Sequence, residues 1–92
     1  MIRSFRCKDT QAVFEGEHSR KFQNIARIAE KKLIQLDAAE ALSDVGRFPG
    51  NYLEPLKGDR RGQYSIRINL QYRICFAWND GGATDVEIVD YH

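Results

Sequence analysis

The side chains of this sequence that can do chemistry gather in its second half, around two segments that alternate polar and apolar residues. Arg67 and Arg73 lie on these segments, and a loop rich in glycine and cations precedes them. The chain ends in acidic, phenolic and imidazole side chains. The candidates for catalysis are His92, Arg73, Asp90, Tyr91 and Glu54, and the candidates for binding an RNA backbone are Lys57, Arg60, Arg61 and Arg67.

This set of groups suits cleavage of RNA without a metal ion. That reaction needs a base to deprotonate the 2′-hydroxyl, an acid to protonate the leaving 5′-oxygen, and cations for the charge that develops on the phosphorane. Histidine exchanges protons near neutral pH, so His92 is the natural proton-transfer group. Glu54 or Asp90 would be its partner carboxylate. Arg73 and Lys57 would stabilise the negative charge.

Each of these residues also has an explanation that involves no chemistry, and composition alone favours it. A C-terminal histidine is more often a frayed end than a catalyst. Strand arginines such as Arg67 and Arg73 are more often solvated, or paired with an acid such as Glu87. Tyr91 would then be a half-buried strand residue, and Glu54 a surface charge. Core packing is the role assigned to the remaining aromatic side chains of this region: Tyr52, Tyr64, Tyr72, Phe76 and Trp78.

The predicted strands determine where the two arginines point. Residues 63–69 and 72–78 alternate apolar and polar side chains, which is the period of a strand. If the apolar side chains face the core, Arg67 and Arg73 must share the opposite, open face. An Asp-Gly pair after the second segment predicts a tight hairpin turn, because both residues accept positive φ angles. The last strand, Ala83 to Tyr91, would place Tyr91 on the face of the arginines.

Helices are predicted before these strands. Asp9 can cap a short helix that runs through Glu15. Apolar residues recur at helical spacing over residues 22–36 and form one stripe. Residues 37–40 match a capping box, so a further short helix should restart there and end near Gly46. Because the stripe of the long helix needs an apolar surface, that helix should lie across the sheet.

The fold predicted from this order is α+β. A single domain spans residues 1–92, with N-terminal helices packed on one face of a small, mainly antiparallel sheet whose other face is polar. Residues 2–6 show a weak alternation of apolar and polar side chains and are a candidate first strand. A chain of 92 residues is long enough for one modest core and too short for two.

Charge is distributed unevenly along the chain. The net charge is only +1, yet residues 47–73 hold six Lys or Arg residues against two acids, a balance of +4. Residues 74–92 contain four acids and no Lys or Arg. A basic region of this kind can bind a phosphate backbone. Charge alone is equally consistent with a solvated surface that carries scattered ion pairs.

Cysteine and hydropathy patterns narrow the class of protein further. Cys7 and Cys75 are too few for a disulfide scaffold, and with His18 and His92 they show no metal-ligand spacing. Two reduced thiols and no metal site are therefore expected. No apolar run approaches the roughly 20 residues of a membrane span, so a cytoplasmic protein without membrane contact is predicted.

Four segments carry a resemblance to a known family. They are residues 53–60 (LEPLKGDR), 64–67 (YSIR), 72–76 (YRICF) and 87–92 (EIVDYH). Together they resemble the HigB branch of the RelE superfamily of bacterial toxins, the plasmid maintenance system killer type. The similarity runs over essentially the full length in matching order. The PLKGDR and terminal DYH motifs are specific in combination, although neither would be specific alone.

The resemblance implies a RelE-like fold with a twisted sheet and a ribosome-dependent mRNA endoribonuclease. Such an enzyme acts in the A site of the 70S ribosome by 2′-hydroxyl attack, with no metal or other cofactor. The resemblance also implies a HigA-like helix-turn-helix antitoxin, through which the complex binds operator DNA and represses its own operon. By position, Asp90, Tyr91 and His92 match the catalytic cluster of the family. Arg73 matches its phosphate-stabilising arginine, and Lys57 a basic loop residue near the substrate.

One position departs from the family pattern. Glu54 stands where the HigB toxins carry histidine before Pro-Leu-Lys-Gly. A glutamate carboxylate is ionised at neutral pH, so it accepts a proton but is a poor donor. The substitution therefore predicts only moderate toxicity.

Two other functions remain open at this stage. One is a toxin on the same fold that cuts no RNA, such as a ParE-like gyrase inhibitor, because fold alone does not determine function. The other is a plain RNA- or ribosome-binding module. The joint presence of Arg73 with the terminal motif at residues 90–92 favours the nuclease.

Overall fold

The computed structural model of this protein describes residues 1–90, which form three α-helices and a four-stranded sheet. The helices are α1 (Lys8–Phe14), α2 (Ala26–Ala38) and α3 (Leu42–Gly46), and the strands are β1 (Glu54–Pro55), β2 (Gln63–Arg67), β3 (Tyr72–Asn79) and β4 (Gly82–Asp90). A short 3-10 turn, Gly58–Arg60, lies between β1 and β2. The α+β class predicted from the sequence is confirmed.

The sheet is antiparallel throughout, with its strands in chain order from β1 to β4. Beyond β4, the N-terminal segment adds two isolated parallel bridges, Ile2 to Ala83 and Phe5 to Val86. Residues 2–6 therefore extend the sheet edge without forming a regular strand. The prediction of a mainly antiparallel sheet is correct.

The core lies between the helices and one face of the sheet. Ile66, Ile74 and Ile88 pair directly across three neighbouring strands, and all three are buried. Leu33 and Leu36 of α2 belong to the same apolar cluster and are fully buried. Burying such side chains is the main source of folding free energy. This packing leaves the opposite face of β2, β3 and β4 without helices and available for polar groups.

The helix boundaries differ from those predicted. The first helix is preceded by Cys7 in an extended conformation, so Asp9 lies within the first turn instead of capping it. The long helix begins at Ala26, because residues 20–25 form turns. Phe22 and Ile25 are nevertheless buried, which explains why they share the apolar spacing of the helix.

The predicted capping box at residues 37–40 is wrong. Asp37 lies inside α2, and its carboxylate accepts a hydrogen bond from the backbone N–H of Ile2 at 2.8 Å. The start of α3 is instead stabilised by Asp44, which accepts hydrogen bonds from the backbone N–H groups of Glu40 and Ala41. These two bonds lower the pKa of Asp44 below its usual value. Within residues 1–90, no helix is long and apolar enough to cross a membrane.

Candidate active site

The face of the sheet opposite the helices carries a band of polar side chains. Arg67 of β2 and Arg73 of β3 are direct cross-strand partners, so they point to the same side, as predicted from the two-residue period. The next pair on this side is Ser65 with Cys75, and Glu87 of β4 lies across from Cys75. Two guanidinium groups, a hydroxyl, a thiol and a carboxylate therefore share one surface.

Arg73 is held in place by hydrogen bonds. Its Nε donates to the Ser65 hydroxyl at 2.7 Å, and its Nη2 donates to the backbone oxygens of Tyr52 at 2.7 Å and Ser65 at 3.3 Å. The residue is only 7% exposed, so the prediction of an open position for it is wrong. The chain before β1 runs along the edge of β2, where the backbone oxygen of Asn51 accepts the N–H of Arg67, and the guanidinium of Arg73 reaches this chain at Tyr52.

Two further candidates border Arg73. Glu54 in β1 places a carboxylate oxygen 3.8 Å from Arg73 Nη2, and about half of its side chain is exposed. The guanidinium of Arg67 lies over the ring of Tyr52, 4.6 Å from the ring centroid. The structure thus brings together Glu54, Arg67 and Arg73, which sequence reasoning had assigned to one region.

The basic loop contains cations in two different situations. Lys57 and Arg61 are exposed at either end of the 3-10 turn. Arg60 bends back to the sheet, where its Nη2 lies 2.9 Å from Glu87 Oε1 and its Nη1 donates to Gln63 Oε1 at 3.1 Å. The contact with Glu87 is an ion pair whose geometry is not that of a hydrogen bond. Arg60 therefore fastens the loop to the sheet, while Lys57 and Arg61 face solvent.

The C-terminal candidates lie at the end of β4. Asp90 is exposed at the edge where β3 begins, opposite Tyr72, and its Oδ2 accepts a hydrogen bond from Gln71 Nε2 at 3.1 Å. Tyr91 and His92, which complete the predicted catalytic cluster, are outside the described residues.

Comparison with known proteins identifies the family. The family described as "RelE-like toxin of type II toxin-antitoxin system HigB" matches residues 3–92. This chain belongs to that family. Toxin HigB-1 of Vibrio cholerae is 39% identical over 85 residues, covering 90% of both chains. Endoribonuclease HigB of Proteus vulgaris is 34% identical over 94 residues, covering 100% of both.

Solved structures agree with the fold of this HigB-like toxin. The YoeB-YefM toxin-antitoxin complex of Staphylococcus aureus, a heterotetramer, contains a chain that matches 100% of this one with a TM-score of 0.59. The match covers 98% of that chain at 21% sequence identity, which shows a common RelE-like fold. As a member of a type II toxin-antitoxin family, the toxin has an antitoxin as its partner.

The thiol on the polar face of the toxin is protected from ionisation. Cys75 is fully buried, and burial raises its pKa above the usual value, against a smaller opposing effect of the Arg60 charge. A raised pKa keeps the group in the thiol form at neutral pH, and the thiol is a weak nucleophile. Cys75 is therefore a packing residue beneath the polar surface. Among residues 1–90, no group of three or more His, Cys, Asp or Glu side chains is close enough together to hold a metal ion.

Sequence reasoning missed two residues that border the candidate site of this HigB-like toxin. Ser65, which receives the Arg73 Nε–H, could have been found, since it has the same strand parity as Arg67. Tyr52 was assigned to core packing, and this assignment is wrong because the residue is 64% exposed. No local pattern around Tyr52 predicted this, since the residue lies in a loop without alternation.

Proposed function

We propose that this toxin is a ribosome-dependent endoribonuclease that cuts mRNA in the cytoplasm by attack of a 2′-hydroxyl on the adjacent phosphate. The observation that carries the proposal is the fixed guanidinium of Arg73 beside Glu54 on the helix-free face of the sheet. Support also comes from family membership and from the name of the Proteus vulgaris relative, Endoribonuclease HigB.

The proposed reaction has four parts. A base takes the proton of the 2′-hydroxyl, and the oxygen attacks phosphorus. The P–O5′ bond breaks, an acid protonates the leaving 5′-oxygen, and the products are a 2′,3′-cyclic phosphate and a 5′-hydroxyl. His92 is the proposed leading proton-transfer group, with Asp90 orienting it and Tyr91 contributing to the same cluster. Glu54 is the proposed proton acceptor near the phosphate, and no metal ion is invoked.

The cations have separate proposed tasks. Arg73 stabilises the charge that builds on the phosphorane, because an arginine pre-positioned by hydrogen bonds needs no reorganisation as that charge develops. Lys57, Arg61 and Arg67 contact the RNA backbone or the ribosome. Arg60 positions the loop through its ion pair with Glu87.

The proposed partners follow from the toxin-antitoxin assignment. A HigA-like helix-turn-helix protein would neutralise the toxin, and the complex would bind operator DNA through that antitoxin. The substrate complex would be a 70S ribosome that carries mRNA in its A site.

Primer extension after brief induction tests the proposal. Transcripts should show new 5′ ends in translating cells and none when translation is blocked. The His92→Ala variant should lose cleavage and growth arrest, while His18→Ala, which changes the other histidine at an exposed position, should retain both. Intact mRNA together with an SOS response would favour a gyrase poison. Uncut transcripts that stay bound to ribosomes would favour a plain binding module.

Testing the proposed role of Arg73 requires a variant that changes the guanidinium but keeps the protein folded. Replacing this buried arginine with alanine would leave the Ser65 hydroxyl and the Tyr52 carbonyl without their donor and would destabilise the fold. Arg73→Lys keeps a charge in the same place but cannot reproduce the forked hydrogen bonding. Its cleavage rate should fall at least tenfold, while circular dichroism shows a folded protein.

A further inference from the structure

We infer that Tyr52 is a nucleobase-binding residue of this toxin, whose ring stacks on an unpaired RNA base next to the phosphate at Arg73. This inference rests on the proposed ribonuclease function and adds a contact to the base. It assigns a role to an aromatic side chain that the core does not use. The ligand class is single-stranded RNA.

The first observation is the combination of exposure and backbone strain at Tyr52. The residue is 64% exposed, although burying a tyrosine ring is a large gain in folding free energy. Its φ of 48° lies in the left-handed region, which bulky residues rarely occupy. Strained, exposed residues persist where the surrounding structure fixes them, and they cluster at functional sites.

The second observation is the support that holds Tyr52 from both sides. The preceding residue, Asn51, is fully buried and accepts a hydrogen bond from Lys32 Nζ at 2.6 Å. The backbone oxygen of Asn51 accepts the N–H of Arg67 at 2.6 Å. The backbone oxygen of Tyr52 itself accepts a hydrogen bond from Arg73. The ring therefore projects from a fixed backbone, so stacking on it costs little conformational entropy.

The third observation is the position of the ring among cations. Arg67 lies over the ring at 4.6 Å from its centroid, which sets the orientation of the ring. The backbone of Tyr52 directly contacts the arginine that is proposed to bind the scissile phosphate. A base attached to the neighbouring ribose would therefore be within reach of the ring.

The chemistry of this surface matches single-stranded RNA. Proteins recognise unpaired nucleotides by combining cations that follow the backbone with aromatic rings on which bases stack. Here Arg67 and Arg73 supply the cations and Tyr52 the ring. Stacking tolerates every base, because every base has a π-face.

A fluorescent RNA tests the inference. Ribosomes are programmed with mRNA in which 2-aminopurine replaces the base on one side or the other of the cleavage position. A 2′-O-methyl group blocks the attacking oxygen, so the RNA stays intact. Wild-type toxin and Tyr52→Phe should quench 2-aminopurine at one of the two positions, because both present a ring. Tyr52→Gly should not quench it.

Cleavage of unblocked mRNA gives a second, independent readout. Because the stack forms before and during the reaction, its loss should raise KM by roughly tenfold with a smaller effect on kcat. Tyr52→Gly is the decisive variant, since glycine accepts a φ of 48° without strain, which offsets the loss of the Arg67 contact and the greater freedom of glycine in the unfolded chain, so its Tm should stay near that of the wild type. Leu70→Ala is the matched control, because Leu70 is an exposed apolar residue that is 89% accessible.

The outcomes separate the two proposals. If the wild type cuts mRNA and Tyr52→Gly has the same KM and the same quenching, the stacking inference is wrong and the ribonuclease proposal stands. If the wild type leaves mRNA uncut under all translating conditions, the ribonuclease proposal is wrong, and the stacking inference, which rests on it, is wrong as well. Loss of quenching with a raised KM in Tyr52→Gly, but not in Leu70→Ala, supports both.

Discussion

Arg73 combines a structural and a chemical task in one side chain. It joins β2 to the chain before β1 through Ser65 and Tyr52, and it also presents the charge that a phosphate would meet. Because the guanidinium is shielded from bulk water, its interaction with a bound anion is stronger than that of a solvated cation. A carboxylate oxygen of Glu54, the proposed proton acceptor, lies 3.8 Å from Arg73 Nη2.

Glu54→His should raise the rate of mRNA cleavage on translating ribosomes. A histidine can both accept and donate a proton near neutral pH, whereas an ionised glutamate only accepts one. The expected rise is several-fold, up to about a hundredfold, the lower limit for general acid–base catalysis. Glu54→Gln, which exchanges no proton, should lower the rate. An unchanged or reduced rate for Glu54→His would contradict the assignment, and urea unfolding of each variant controls for stability.

The direction of an individual side chain was predictable where the two-residue period of a strand sets it. Strand alternation was sufficient to place Arg67 and Arg73 on one face, since register fixes the direction of each side chain. The burial of Arg73 and the exposure of Tyr52 were not predictable. Both depend on the path of residues 51–54 along the edge of β2 and on the positive φ of Tyr52, which no spacing in the sequence indicates.

Among the secondary-structure elements, the β3–β4 hairpin was the most predictable. Asp80 and Gly81 adopt φ angles of 50° and 75°, as a tight Asp-Gly turn requires. The side chain of Arg3 also braces this turn through hydrogen bonds to the backbone oxygens of Asn79 and Asp80. The helix caps were less predictable. Asp37 has the spacing of an N-cap residue, but α2 continues to Ala38, and the start of α3 is stabilised by Asp44 from inside that helix.

Gly81→Ala should destabilise the hairpin and the domain. Alanine at a φ of 75° meets the steric penalty of the left-handed region, about 1–2 kcal/mol. For a domain of this size, each kcal/mol corresponds to a fall in Tm of roughly 4–8 °C, measured by calorimetry. Asp80→Asn is the control, because asparagine tolerates the same conformation and should leave Tm nearly unchanged. A Gly81→Ala protein with wild-type Tm would show that the turn relaxes to another type.

Across the whole molecule, Asn51 connects the helical layer to the sheet. Its side-chain N–H donates a hydrogen bond to the backbone oxygen of Val45 at 2.9 Å, and its side-chain oxygen accepts a hydrogen bond from the ammonium of Lys32. Its backbone oxygen binds the N–H of Arg67. One buried polar residue thus holds α2, the end of α3 and β2 together, and it also fixes the backbone that presents Tyr52. Long-range contacts of this kind have no signature in local sequence.

Replacing Lys32 with Met removes the buried ammonium and should change how stability depends on pH. Burial, and secondarily the charge of Lys31, lowers the pKa of Lys32 below the usual 10.5. As pH rises toward 10.5, the unfolded chain therefore binds more protons than the native state, so the wild-type free energy of unfolding should rise relative to that of Lys32→Met. Urea unfolding from about pH 7 to 10 measures this difference. Lys8→Met, which changes an exposed lysine, should follow the wild-type curve. Parallel wild-type and Lys32→Met curves would mean that this ammonium remains hydrated.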